Sequence, residues 1–268
     1  MPKILIVGLG AMGGAIAREL SKENTYEILG CDTNQQTLHN AINMRFITQT
    51  VVVTDLNIIA VDLIILATPP KITKQILSQL TTTTLIMDIA SIKIPIMQSA
   101  QHLPHFVGGH PMVGTDKTGL IGHSAVHYDQ RYFFLMGQFA DIQMIQRLLA
   151  PLKSHFIVTD PILHDQQVAL TSDLPHLVAY ALVQTLQTDA TLNSLAYVGN
   201  GFKDTTRIAQ ANSQLWADIL CQNKQAVHQS LQSFITVLRE LDTKMMTDNQ
   251  AALEQQLQLI QTFRSSLL

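Results

Sequence analysis

The chain has 268 residues, of which 47% are hydrophobic and only 14% charged, with a formal net charge of -3. That length can bury a sizeable core, in one large domain or, the preferred reading, in two smaller ones, and the apolar content excludes a disordered chain. The slight acidity without a basic stripe excludes a nucleic-acid footprint, yet leaves room for local cationic pockets that receive acidic substrates.

Lys3 followed by ILIVGLGAMGGAIA, with Ala15-Ile16-Ala17 as a mock cleavage site, imitates a short signal peptide. The stretch reads better as a strand entering a glycine-rich turn and a helix. Asp62 splits the most apolar window, LNIIAVDLIILATPP, so no membrane span is expected and the chain reads as soluble and unprocessed. Cys31 and Cys221 are too few and too far apart for a disulfide framework or a zinc site, which fits a reducing cytoplasm.

The elements then follow in chain order. KILIV, YEILGCD, DLIILATPP and TLIMDIA are strand-like, and AIARELSK, QQTLHNAI and KITKQILSQL between them are helical. Such alternation predicts βαβ units and a mostly parallel, doubly wound α/β sheet, buried on both faces and therefore built from continuous apolar runs. Thr81 to Thr84 is a surface loop of low complexity. Further strands are expected at HFVGGHP, YFFLMG and SHFIVTD, with a helix at DIQMIQRLLAPL. From Pro161 strand signals stop, and the segments 164–186, 215–245 and 251–267 carry helical periodicity. The prediction is a Rossmann-type domain over 1–160 followed by an all-helical domain over 161–268.

Strand, then Gly8-x-Gly10-x-x-Gly13, then helix is the dinucleotide-binding arrangement. Gly8 permits the tight turn, Gly10 the approach of a pyrophosphate, and Gly13 close packing of helix on strand. Ala11 and Met12 lie in the same turn, and Thr68-Pro69 ends a neighbouring strand, so both pairs are counted as cofactor-binding. Asp32 ends the next strand, where an acid binds the adenosine ribose, and no arginine follows it to receive a 2'-phosphate. NAD is therefore favoured over NADP.

Ligands of doubly wound sheets lie outside the carboxyl ends of the strands, so Ser91 and the loop after FVGGHP both face the nicotinamide. His110 sits there, between Gly109 and Pro111. A neutral histidine beside a dinucleotide can accept a hydroxyl proton while hydride leaves the same carbon.

The stretches GLGAMGGAIA, DIASIK, GGHPMVGTDKTG, HDQQVALTSDLPH, GFKDTTRIA and LWADILCQN, in this order and spacing, span nearly the whole chain. On these the sequence resembles the prephenate and arogenate dehydrogenases of tyrosine biosynthesis. The resemblance implies a helical domain that dimerises and an NAD(P)-dependent oxidative decarboxylation of a cyclohexadienyl acid, a small-molecule substrate, with prephenate named first and arogenate second. It implies further that His110 takes the hydroxyl proton, that Ser91 helps hold His110 and the hydroxyl, and that Arg207 clamps the ring carboxylate. Thr115 and Asp116, in the loop after the histidine, fall on the substrate side, with Asp116 pairing Arg207 and gating access. His176 falls near the substrate's side chain, and His164 matches the family's HD pair. For His164 a helix-start histidine beside a capping Asp165 is the competing reading.

Where the family commonly has Ser-His-Leu-Pro-His, this chain has Ser172-Asp173-Leu174-Pro175-His176. Asp173 is read as pairing with the ammonium of arogenate, as orienting His176, or as facing solvent at a kink before Pro175. His102, His105, His123 and His127 lack carboxylate or cysteine companions for a metal and are read as solvated; Trp216 and Phe202 are read as core. Two other functions share this layout. A β-hydroxyacid dehydrogenase relies on a helical lysine with an asparagine one turn later, whereas Lys203 is followed by Arg207; a non-catalytic NAD sensor is expected to lose His110 or Arg207.

Overall fold

The computed structural model describes residues 1–115, 117–188, 194–247 and 249–267. The first half opens with β1 (Lys3–Val7), α1 (Ala11–Ser21), β2 (Glu27–Cys31), α2 (Gln35–Asn43) and a short β3 (Gln49–Thr50). It continues through β4 (Leu63–Leu66), α3 (Pro70–Leu77), β5 (Leu85–Asp88), α4 (Ile94–Ser99) and β6 (Phe106–Pro111). β7 (Tyr132–Gly137), α5 (Phe139–Leu148) and β8 (His155–Val158) complete an eight-stranded sheet of order β3-β2-β1-β4-β5-β6-β7-β8.

Every pairing is parallel except that of β6 with β7, which places His110 opposite Phe134. Along β1, Ile4 and Ile6 enter one buried cluster with Ala15, Ile16 and Leu20 of α1, while Leu5 and Val7 enter another with Leu77 and Ile96 from α3 and α4. Both faces are covered, hence the unbroken apolar strands. Each such side chain contributes roughly 1.5–3 kcal/mol by leaving water. Asn34 caps α2 by accepting the Thr37 N–H at 3.0 Å.

Asp160 starts the second half. Its Oδ1 accepts the N–H groups of Ile162 and Leu163 at 2.8 and 3.0 Å, and Pro161 occupies the first helical position of α6 (Pro161–Val168). After α6 the backbone widens into a π-helical turn over Ala169–Asp173 and enters α7 (Leu174–Thr188). Then come α8 (Asn200–Thr206), α9 (Ser213–Gln222), α10 (Lys224–Met246) and α11 (Gln250–Ser266).

The layout predicted from sequence is present, with differences: the helical run over 164–186 is split by the π-helical turn, and α8 lies outside the predicted segments. β3 and α4 are too short to show a period in the sequence. The helical run over 215–245 is two helices, broken at Asn223. Among the described residues no helix is long and apolar enough to cross a membrane.

Candidate active site

Three elements shape the turn after β1. Gly8 has φ +94°, and a Cβ there would lie 2.6 Å from the Ala67 carbonyl oxygen, so only glycine fits. A Cβ on Gly13 would lie 2.0 Å from the Gly8 carbonyl oxygen, the close helix-to-strand approach expected of it. Gly10 opens onto free space and is the N-cap of α1 without a side-chain capping bond. The first backbone bond of α1 runs from Gly14 N–H to Gly10 O, so the N–H groups of Ala11, Met12 and Gly13 lack intrahelical acceptors, and no acid lies in that turn. This is an anion cradle. Asp32, half-exposed past the end of β2, accepts the N–H of Leu9 through Oδ2 and of Asn34 through Oδ1, both at 2.8 Å, which fixes its carboxylate beside the turn. Thr68 and Pro69 end the adjoining β4, Thr68 bonded to Thr73 at 2.8 Å and Pro69 serving as N-cap of α3. The whole set fits a dinucleotide with free ribose hydroxyls.

His110 lies at the carboxyl end of β6, half-buried. Its Nδ1 is 2.9 Å from Nε2 of His164, whose Nδ1 is 2.8 Å from Oδ1 of Asp165. Asp165 is 1% exposed, and its carboxylate also accepts the N–H groups of Lys93 and Ile94 at 2.8 Å each, capping α4. A carboxylate only accepts, so His164 donates from Nδ1 and, when neutral, accepts at Nε2; His110 then donates from Nδ1 and keeps its lone pair on Nε2. Burial, then the facing His164, then Lys93 hold the His110 pKa well below the usual histidine value. These effects favour the neutral ring.

Lys93 lies beneath it, fully buried. Its Nζ donates to Asp88 at 2.5 Å and to the Gly109 carbonyl at 2.6 Å, and Asp88 accepts the Gly109 N–H at 3.3 Å. This clamps both polar groups of the residue before His110. Ser91 is half-buried in the loop that links Asp88 to Lys93. The resemblance implies that Ser91 helps hold His110 and the hydroxyl; among the described residues the side chain bonded to His110 Nδ1 is that of His164, which is a correction only in adding a partner. The reading of Asp165 as cap of its own helix is also corrected, since Asp160 caps α6 and Asp165 reaches across to α4.

In the helical half, His176 stacks on Trp216 with ring centroids 3.4 Å apart and an interplanar angle of 22°. Trp216 is therefore a half-buried neighbour of the site as well as a partner of the core. His176 Nδ1 donates to the Ser172 carbonyl at 3.0 Å. Burial lowers its pKa, as does the charge of Arg207, against the opposing Ser172 bond. Arg207, just past α8, is exposed and has no hydrogen-bond partner among the described residues. Thr115 Oγ1 accepts the Lys117 N–H at 3.1 Å in the loop after β6; Asp116 lies outside the described residues.

Asp173 is a correction. It is 1% exposed, with Oδ2 accepting from Asn223 Nδ2 at 3.0 Å, so it does not face solvent. Its neighbour Asp165 and Asn223 were invisible to sequence reasoning as site residues, although both stand in the quoted HDQQVALTSDLPH and LWADILCQN stretches. Phe202 is half-buried rather than core. His102, His105 and His127 are exposed, while His123 packs edge-on against Phe46 at 4.9 Å.

A mostly parallel sheet with a glycine turn, an acid at the end of β2 and a histidine of lowered pKa at the end of β6 defines a dinucleotide-dependent dehydrogenase with a helical second domain. The family model for the prephenate dehydrogenase nucleotide-binding domain matches residues 16–158, and that for the prephenate dehydrogenase dimerization domain matches 160–262. The chain belongs to the prephenate dehydrogenase family. It is 32% identical over 267 residues to prephenate dehydrogenase of Lactococcus lactis subsp. cremoris, covering 95% of this chain and 74% of that one. The crystal structure of prephenate dehydrogenase from A. aeolicus in complex with hydroxyphenyl propionate and NAD+ superposes with a TM-score of 0.90 at 26% identity, over 100% of this chain and 99% of that one. Synechocystis arogenate dehydrogenase gives a TM-score of 0.83 at 27% identity, over 99% of this chain and 100% of that one.

Proposed function

We propose that this chain is an NAD-dependent prephenate dehydrogenase of tyrosine biosynthesis, converting prephenate to 4-hydroxyphenylpyruvate, with the domain division at Asp160. The observation that carries the reading is the place of His110, at the carboxyl end of the sheet that holds the dinucleotide turn and with Nδ1 turned onto His164. The reaction needs one base and tight positioning.

Bound NAD supplies a hydride acceptor. The cradle at Ala11, Met12 and Gly13 orients its pyrophosphate, and Asp32 takes the ribose hydroxyls and repels a 2'-phosphate. His110 Nε2 takes the proton of the ring hydroxyl as the carbinol C–H bond gives up its electron pair as hydride. The C–C bond to the ring carboxylate then breaks, its electrons enter the ring, which becomes aromatic, carbon dioxide leaves, and the phenolate oxygen so formed takes the proton back from His110. Ser91 steadies the hydroxyl, and Arg207 holds the ring carboxylate with the paired geometry a guanidinium offers. Thr115 meets the substrate from the loop after β6, with Asp116 assigned to the same task, and His176, on its Trp216 platform, meets the side chain.

A second reading, arogenate as substrate, is favoured by His176. With Nδ1 donating to Ser172, its neutral ring offers an acceptor at Nε2, which suits an ammonium better than a keto acid. The enzyme works in the cytoplasm as a homodimer through its helical half, where Val237, Leu238, Leu259, Ile260 and Phe263 of α10 and α11 stand exposed.

The test is NADH absorbance on mixing protein, NAD and either acid. A signal with prephenate that exceeds that with arogenate supports the first reading. The reverse order selects the second, and silence with both leaves a nucleotide-binding protein without this chemistry.

A further inference from the structure

Asn223 stands at the junction of α9 and α10 and is the N-cap of α10, yet its side chain makes no capping bond there. An asparagine at that position ordinarily turns its side-chain oxygen onto the first free N–H groups of its own helix. Here the amide turns inward instead. Its Nδ2 donates to the main-chain carbonyl of Asp165 at 3.0 Å and to Oδ2 of Asp173 at 3.0 Å, and the residue is 6% exposed.

Both acceptors flank the point where α6 gives way to the π-helical turn, a widening that shifts carbonyls out of the regular ladder and recurs at functional sites. Asp165 is the carboxylate that sets the tautomer of His164, and His164 bonds His110. Asp173 keeps its other oxygen, Oδ1, buried with no partner among the described residues. A carboxylate half satisfied in the interior is costly, and it stays in place only where its remaining bond does something.

We propose that Asn223 is a positioning residue for the dehydrogenation: its amide, held from the far side by Asp173, pins the Asp165 main chain and so fixes the angle at which His164 meets His110. α10, whose first residue follows Asn223, belongs to the segment matched by the dimerization-domain model. The relay beneath the base is thereby tied to the helices that carry the partner-facing surface. This deepens the proposed function and rests on it for its kinetic readout alone.

The test pairs kinetics with a measurement that needs no substrate. Asn223→Ala, assayed on folded dimer, lowers kcat on the order of 10- to 100-fold, the effect of misplacing a reacting group by about an ångström. Both KM values stay within about twofold of wild type, because neither ligand touches Asn223. Asp173→Ala, which removes the far support, lowers kcat in the same direction, and Asp173→Asn, which keeps an acceptor oxygen, recovers most of that loss. In the ligand-free protein, the downfield proton resonance of the His164–Asp165 hydrogen bond, assigned by its absence in His164→Ala, shifts or broadens in Asn223→Ala. If folded Asn223→Ala keeps both wild-type kcat and that resonance, or loses activity only in proportion to unfolded protein, Asn223 is structural and the proposal is overturned. If wild type turns over neither prephenate nor arogenate, the proposed substrate fails and the resonance alone decides the role of Asn223.

Discussion

The two halves of the molecule are finished to different degrees. The sheet half closes on itself, with Ile4, Ile6, Ile64, Leu66 and Met87 wholly buried and helices on both faces. The helical half buries few large side chains: α11 contains no buried residue, and α10 buries Val227 alone. A domain of the first kind is stable as a single chain, whereas one of the second kind leaves its apolar surface for another copy to cover. The site draws on both: His110, Ser91, Thr115 and the glycine turn stand on the sheet half, whereas His164, His176 and Arg207 stand on the helical one.

Substitutions can break or sharpen that division. The largest expected effect is His110→Asn, which lowers kcat about 100-fold or more, the scale of a positioned base, while the NADH Kd measured by fluorescence stays within about twofold. Wild-type turnover in this variant removes His110 from catalysis. Across the boundary, Arg207→Ala raises the KM for substrate about tenfold with little change in kcat, since a carboxylate clamp holds ground and transition states alike. A fall in kcat at constant KM removes Arg207 as a ground-state clamp and gives it a part in the bond-breaking step.

Asp32→Ala returns to the sheet half, where the ratio of kcat/KM for NAD over NADP should drop several-fold while the substrate KM holds. A wild-type preference for NADP sinks the reading of Asp32. The smallest effect concerns stability. Burial, and secondarily Asp165, push the Asp173 carboxyl up from 3.8 to about 6 against the opposing Asn223 bond. A raised carboxyl pKa gives stability that is complete below the unfolded value, near 3.9, and is lost as pH rises through about 6. Asp173→Asn therefore raises Tm at pH 7–8 and leaves it nearly unchanged at pH 4, with at most roughly 3 kcal/mol at stake. Equal Tm shifts at both pH values remove titration of Asp173 as the cause.

The finished half was also the legible one. Its strands are continuous apolar runs, its glycines have one reading each at 8, 10 and 13, and Asp32 stands at a set distance from them, so local rules suffice. Where the helical half departed from expectation, the deciding contacts are long-range. Nothing near Asp173 in sequence announces Asn223, which lies 50 residues away, and His164 meets its partner across 54. Periodicity also ran the helix straight through Asn223, because Gln, Asn and Lys there fit a helical surface as well as a break. The proline at 175 was a visible warning of irregular backbone, but the irregularity falls before it, as a π-helical turn that has no compositional signature.

His110 belongs to β6 and His164 to α6, on opposite sides of Asp160, and Asp165 of α6 caps α4 on the sheet side. These bonds join the two halves directly beside His110. Any swing that parts the two halves by an ångström or two strips His110 of the acceptor that fixes which nitrogen carries its proton, so an opened molecule is chemically unarmed as well as unable to grip.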